Sequence, residues 1–460
     1  MTSFSSKRKS SGILASGVLL AVFVLVAAGA ARLDRTADAP RIGGLWESRG
    51  FAVVVATGLF VSGASLVLST SPPQRRRRAF GYCAAILALS SVFALLELCA
   101  VFRLVDYRLV FNAHFIRPRE NPRNVLDFEL LYRHPPHERF VGSVPGDLTA
   151  GYGIRSDRQY AVDFRYDHRG FRNQVDRERA DVVLIGDSKV EGSLVSYEQI
   201  SSSRLETMLQ VPVLNLGQVG YGPQQCAIVL RRFGLPAQPQ VIVWMLFEGN
   251  DLTLDFMRYQ RSMADFEDYV RQMHGLQVRS FTRNLFLALT RCSTPSSAES
   301  TQRGRNRSCL LTSGPEAGER LYFAYKPLEL TPESRAQLRA PLQSVHEGHR
   351  ACESAGIQFL AVFVPIKYRV YHDLCAIDPG TEAAGWTLHD VPGFIADWAR
   401  EHHITFIDLT PELRSRAAVG DLVYYLDDSH WSAVGHEVAA ARIADVIRER
   451  QWLKGSDLAE

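Results

Sequence analysis

Asp181-Val-Val-Leu-Ile-Gly186-Asp-Ser188 is a run of four apolar residues that halts at a glycine and hands over to an acid and a serine. The run shows no apolar–polar alternation, so both of its faces are expected to be buried, as in the central strand of a parallel sheet. The pattern returns at Val211 to Leu216, Val241 to Phe247, Gln358 to Val364 and Ile404 to Ile407. Helical stretches lie between these runs, among them Ser201 to Leu209 and Pro332 to Ser354. The last is Ser432 to Arg450, where Ala439, Ile443, Val446 and Ile447 share one face. Alternating strands and helices imply an α/β fold, a parallel sheet with helices on both sides. The interval from Leu252 to about residue 330 breaks the rhythm and is expected to form a lid-like insertion. No internal repeat is visible.

Upstream of this block the composition changes. With 460 residues the chain is long enough for at least two structural regions. Three apolar stretches, about 11–31, 51–70 and 79–102, each approach the roughly 20 residues needed to cross a bilayer. A rival reading of the first is a cleaved signal peptide, since Ala28-Gly29-Ala30 resembles a cleavage site. Its apolar run is long for a signal peptide, which favours an uncleaved helix. Lys7, Arg8 and Lys9 precede the first span, and Arg75 to Arg78 separate the second from the third. By the positive-inside tendency both clusters are cytoplasmic, and the chain from about Leu104 onward is outside. The four arginines between residues 32 and 50 weaken that preference without reversing it. The expected organisation is a membrane region over 1–103, an extension over 104–180 and a catalytic domain over 181–455. A net charge of +3, with basic residues scattered, argues against a nucleic-acid binder. Of the seven cysteines, Cys292 and Cys309 bracket a polar stretch. A bond between them would stabilise by about 3 kcal/mol, and two free thiols are the alternative.

Four short motifs follow the strands. Gly186-Asp187-Ser188 puts a hydroxyl at a strand's carboxyl end, where backbone N–H groups face any anion formed beside it. In Asn215-Leu-Gly217-Gln-Val-Gly220-Tyr-Gly222, glycines let backbone amides approach a ligand. Gly249-Asn250-Asp251 supplies a side-chain amide able to donate to a developing oxyanion. In Asp427-Asp428-Ser429-His430-Trp431, an acid three residues before a histidine can fold back to Nδ1–H, fixing the tautomer and freeing Nε2 to deprotonate a serine. Asp428 competes for that orienting role, but the spacing favours Asp427. Singly, each motif also reads as something plainer: a polar turn, a glycine turn, a helix cap, a surface pair.

Their order, with every one of them at the carboxyl edge of the expected sheet, resembles the SGNH (GDSL-type) hydrolase superfamily. The resemblance spans Asp181 to His436 and implies a three-layer α/β/α, flavodoxin-like fold. It also implies a catalytic Ser188, with His430 as base and Asp427 as its orienting acid. The oxyanion donors would be the N–H groups of Ser188 and Gly220 and the side chain of Asn250; Gly217 is a poorer match for the glycine. Val364-Pro365-Ile366-Lys367-Tyr368-Arg369-Val370-Tyr371 resembles a stretch of alginate O-acetyltransferase-like members. It suggests carbohydrate work, with Lys367, Arg369 and Trp431 as substrate contacts. Tyr166 to Asn173 resembles a segment found upstream of this block in bacterial membrane-linked members.

The implied function is an esterase removing O-acyl groups, acetyl foremost, from an envelope or exported carbohydrate. One alternative is an O-acyltransferase, which would need a membrane partner to bring acyl groups outward; another is a non-catalytic assembly subunit. No metal or organic cofactor is called for. The expected location is the cytoplasmic membrane, with the catalytic domain outside.

Overall fold

The computed structural model describes residues 91–112, 121–152, 154, 156–292 and 304–454, with a few isolated positions before residue 91. Two compact units result, Met1–Leu104 and Val105–Glu460. In the first, residues 91–101 are helical, and Arg41–Ile42 pairs antiparallel with Trp46–Glu47. The spans expected at 11–31 and 51–70 lie outside the described residues, as does the start of the third. Among the described residues no helix is long and apolar enough to cross a membrane.

The second unit is built on five parallel strands: β1 (Val182–Gly186), β2 (Val213–Gly217), β3 (Val241–Phe247), β4 (Gln358–Val364) and β5 (Thr405–Asp408). Their spatial order is 2-1-3-4-5, with every neighbouring pair parallel. The chain leaves β1 for one flank, then crosses back to β3 on the other, so the topological switch point falls between β1 and β3. Ligands of open α/β sheets bind beyond the carboxyl ends of the strands at such a point.

Successive strand residues point to opposite faces, and the core divides accordingly. Val182, Leu184, Val243, Met245, Leu360 and Val362 pack on one side. There they meet Leu205 and Leu209 of α1 (Ser201–Leu209), with Ala439, Ile443 and Val446 of α5 (Ala433–Glu449). Val183, Ile185, Ile242, Trp244, Ala361 and Phe363 face the other way. That side is covered by α2 (Pro223–Val229), α3 (Pro332–Ser354) and α4 (Val391–Glu401). Every residue of β1, β2 and β3 is buried. This is the three-layer arrangement that the unbroken apolar runs imply.

Two regions depart from expectation. The extension over 104–180 contains two antiparallel hairpins: Val125–Asp127 with Leu131–Arg133, and Arg139–Val144 with Tyr160–Arg165. The second has only a weak inward pattern and much exposed surface, so its sequence carries little periodic signal. The insertion is helical through Phe281–Cys292, then closes with a small sheet of Ser308–Leu311, Arg320–Tyr322 and Cys375–Ala376. Cys309 is bonded to Cys375, not to Cys292. The sheet pairs Leu311 with Cys375 and Leu310 with Ala376, which brings those two segments together across a long stretch of sequence.

Candidate active site

β1 ends in Gly186, and a Cβ there would lie 2.6 Å from a Val190 side-chain carbon. The glycine lets the chain turn sharply into the short helix Ser188–Glu191, which Asp187 caps by accepting the Lys189 N–H at 2.8 Å. Ser188, 7% exposed, is held at that turn. Its Oγ lies 2.8 Å from His430 Nε2 and 3.3 Å from Asp187 Oδ2. On the other side of the ring, Nδ1 is 2.7 Å from Asp428 Oδ1. Hydroxyl, imidazole and carboxylate form one hydrogen-bonded line, in the geometry by which a serine is made nucleophilic.

The carboxylate bonded to the ring is that of Asp428, which corrects the expected placement of Asp427 there. Asp428 Oδ1 also accepts the His430 backbone N–H at 2.7 Å, closing a two-residue turn that brings the carboxylate back to the ring. Asp427 points elsewhere, its Oδ1 accepting the Tyr160 hydroxyl at 2.5 Å. Burial of Asp428 favours its neutral form. The His430 charge and hydrogen bonds from His430 and the Asp147 backbone outweigh that and hold the carboxyl well below the usual range. It is therefore ionised wherever His430 can act as a base.

The loop after β2 is firmly set. Gln218 N–H donates to the Gly186 carbonyl, joining the loop to the serine turn. Val219 N–H donates to Glu191 Oε2 at 2.6 Å, and Tyr132 donates to the Val219 carbonyl at 2.5 Å. Gly220 follows with φ of 75°, a left-handed value that favours glycine. Glu191 also takes bonds from His134 and Tyr166. Gly217 lies tight against this helix, where an added Cβ would meet the Glu191 nitrogen at 2.4 Å. It is a packing glycine, and Gly220 is the one free to present its amide.

Asn250 follows β3, across the switch point from β1. Its amide donates to Asp255, which also binds Arg258. One amide hydrogen is thus used and a second is left. Asp251 is structural: its carboxylate caps the Phe247 N–H at 2.9 Å. Ser188, Gly220 and Asn250 therefore stand beyond the carboxyl ends of three adjacent strands.

Three expected substrate contacts are corrected. Lys367 is 4% exposed, and its Nζ donates to the carbonyls of Tyr322 (2.9 Å) and Tyr425 (2.5 Å). Burial pushes its ammonium down to about 7 against the pull of Asp428 and Asp147. Arg369 is paired with Glu248 through two bonds, of 2.7 and 2.5 Å, and the Glu248 side chain is fully buried. Trp431 is 0% exposed and packs edge-on to Tyr424 and His436. These partners of Lys367 and Arg369 come from more than 40 residues away in the chain.

Several residues that matter were not among the expected site residues. Asp147 and Tyr160, from the extension, bond the His430 loop. Lys189 donates to the Ser429 carbonyl at 2.5 Å and lies over the Phe247 ring. Arg172 and Asn173, in the upstream segment with its Tyr166 to Asn173 resemblance, tie Gly192 and Asn215. That segment is a brace for β2 and the serine helix. Asp147, Asp428 and His430 place ligand atoms within 4.8 Å of one another. Asp428 and His430 are already bonded to each other and, through Nε2, to Ser188, so the group reads as an acid–base set.

Sheet and relay together resemble the arrangement of an SGNH hydrolase-like domain, and part of the unit matches a family model of that kind. Residues 321–459, the segment carrying Asp428 and His430, match the family described as SGNH hydrolase-like domain, acetyltransferase AlgX. No curated protein matches the chain. Among solved structures, a lipase/acylhydrolase from Enterococcus faecalis is 14% identical, covering 58% of this chain and 95% of its own at a TM-score of 0.32. A catalytic mutant of an acetylxylan esterase from Geobacillus stearothermophilus is 12% identical, covering 61% and 99% at 0.30. A GDSL-like lipase from Bacteroides thetaiotaomicron is 10% identical, covering 59% and 89% at 0.29. Likenesses at this level leave the assignment to the family match and the geometry.

Proposed function

We propose that the chain is a serine esterase that removes O-acetyl groups from an envelope or exported carbohydrate through Ser188, His430 and Asp428. The observation that carries this reading is the unbroken relay, 2.8 Å from Ser188 Oγ to Nε2 and 2.7 Å from Nδ1 to Asp428. His430 takes the serine proton as Oγ attacks the ester carbonyl. The negative oxygen is met by the N–H groups of Ser188 and Gly220 and the remaining Asn250 amide hydrogen. One such donor is worth about 2.7–4 kcal/mol in comparable sites. Collapse returns the proton from His430 to the leaving sugar oxygen and leaves an acetyl-serine. Water, deprotonated by the same imidazole, releases acetate.

The acetyltransferase description of the matching family favours a second reading, in which a sugar hydroxyl replaces that water. A non-catalytic assembly role is disfavoured, because serine, base and acid are all retained and in register. We place the enzyme on the cytoplasmic membrane through the apolar stretches near the N-terminus, with this domain outside. The Cys309–Cys375 bond suits an oxidising compartment.

The test is hydrolysis of p-nitrophenyl acetate by the detergent-solubilised full chain and by Ser188→Ala. Loss of turnover in the variant supports the reading; equal rates end it. Acetyl-labelled oligosaccharide then separates the two versions, since free acetate marks the esterase and labelled acceptor sugar marks the transferase.

A further inference from the structure

The loop 427–430 carries both acid and base, and the extension grips it directly. Asp147 Oδ1 accepts the Ser429 N–H at 2.8 Å, and its Oδ2 accepts the Ser429 hydroxyl. In return, the Asp147 N–H donates to Asp428 Oδ2 at 2.7 Å, and Leu148 N–H donates to the Asp427 carbonyl at 3.3 Å. Gly146 lies so close that an added Cβ would sit 2.3 Å from the Asp427 carbonyl oxygen. This grip leaves Asp147 Oδ2 3.9 Å from His430 Nδ1, beside Asp428 Oδ1 at 2.7 Å. Two carboxylates flank one imidazole nitrogen.

We propose that Asp147 is a positioning residue for the base, holding its loop and adding a second negative charge opposite the imidazolium that forms when His430 takes the Ser188 proton. This rests on the serine-enzyme reading above. The charged groups around it come from several elements. Asp187 and Lys189 follow β1, Lys367 follows β4, Asp427 is engaged by Tyr160, and His436 lies on α5. Lys189 donates to the Ser429 carbonyl of this loop and Lys367 to the Tyr425 carbonyl just before it, so two buried amines fasten the backbone while carboxylates face the ring. Burial and the Asp428 charge push the Asp147 carboxyl up to about 6, with His430 and Ser429 pulling the other way. Solvent reaches 39% of its side chain, which softens the burial part. Above that range Asp147 is charged and supports the imidazolium. Below it the tie to Ser429 persists without the charge.

Asp147→Asn separates the two roles, because the amide oxygen can still accept the Ser429 N–H while the charge is gone. In the full chain hydrolysing p-nitrophenyl acetate, we expect kcat to fall about tenfold with KM little changed. The acidic limb of kcat/KM should move to lower pH, since His430 loses a charge that favours its proton. Asp147→Glu should recover part of the rate. The double variant with Asp428→Asn should lose less than the product of the single losses, as expected for groups acting on one ring. Ser429→Ala, which cuts a tie but keeps the charge, should lower the melting temperature and leave the acidic limb in place. A folded Asp147→Asn with unchanged kcat and an unmoved limb overturns the inference alone. The same limb shift in Ser429→Ala does so too. Absence of Ser188-dependent hydrolysis in the unaltered chain removes both this inference and the reading beneath it.

Discussion

Replacing Asp428 by asparagine takes the charge from the Nδ1 side of His430 while keeping the side chain's shape. Asp428 is 2% exposed at its side chain and lies 2.7 Å from Nδ1. A full charge pair at that distance is worth about 6 kcal/mol at an effective dielectric near 20. The neutral imidazole already draws on part of this, so the imidazolium loses about 3–5 kcal/mol, a rate loss of about a hundredfold to ten-thousandfold. The amide also cannot satisfy both neighbours. Asp428 accepts from His430 through one oxygen and from the Asp147 N–H through the other. In asparagine one of those positions becomes a donor. Asp427→Asn, by contrast, keeps an acceptor for the Tyr160 hydroxyl and should leave kcat/KM within about threefold, on the order of 0.7 kcal/mol. The assay is steady-state hydrolysis of p-nitrophenyl acetate by both variants, with circular dichroism to confirm folding. An Asp427→Asn loss equal to or larger than that of Asp428→Asn would refute the placement of the acid.

Arg369→Ala should strand the buried Glu248 carboxylate and destabilise by about 3–5 kcal/mol, seen as a lower denaturant midpoint. An unchanged midpoint, with activity lost instead, would return Arg369 to the substrate. Removing the Cys309–Cys375 bond, which links positions 66 apart, should cost about 4 kcal/mol in the chain-entropy model. A paired Cys→Ser variant, or the unaltered chain under reductant, should melt earlier; equal melting temperatures count against the bond. Lys367 has a folded-state pKa of about 7, below its ordinary value. Between pH 7 and about 10 the unfolded chain holds a proton that the folded chain has lost, so stability rises with pH by up to about 1.4 kcal/mol per unit. Lys367→Met should flatten that slope in denaturant titrations at several pH values, and an identical slope would contradict it.

The sheet was legible because its strands are buried on both faces. Val241–Phe247 and Gln358–Val364 fall where the apolar runs place them, and β1, β2 and β5 shift by one or two residues. Helices Ser201–Leu209 and Pro332–Ser354 carry their own boundaries, one beginning right after a buried isoleucine, the other at a threonine cap followed by proline. Ser188 and His430 were legible because each stands at the end of such an element. The acid was misread because spacing alone ignored the turn in which Asp428 bonds the backbone N–H two residues on. Asp147 could not be read at all: it meets the loop across 281 residues, and nothing local to it marks that contact. Lys367 and Arg369 were misread for a related reason. A charge at a strand end looks available to substrate until its distant partner, a carbonyl cluster or Glu248, is known.

The central claim is that Ser188 is a nucleophile activated by His430. It is tested most directly by treating the full chain with a biotinylated fluorophosphonate and mapping the modified peptide by mass spectrometry. The account predicts modification at Ser188 alone, slowed at least a hundredfold, about 2.7 kcal/mol, in His430→Ala. Modification at a different serine, or labelling of Ser188 at the same rate without the imidazole, would contradict it.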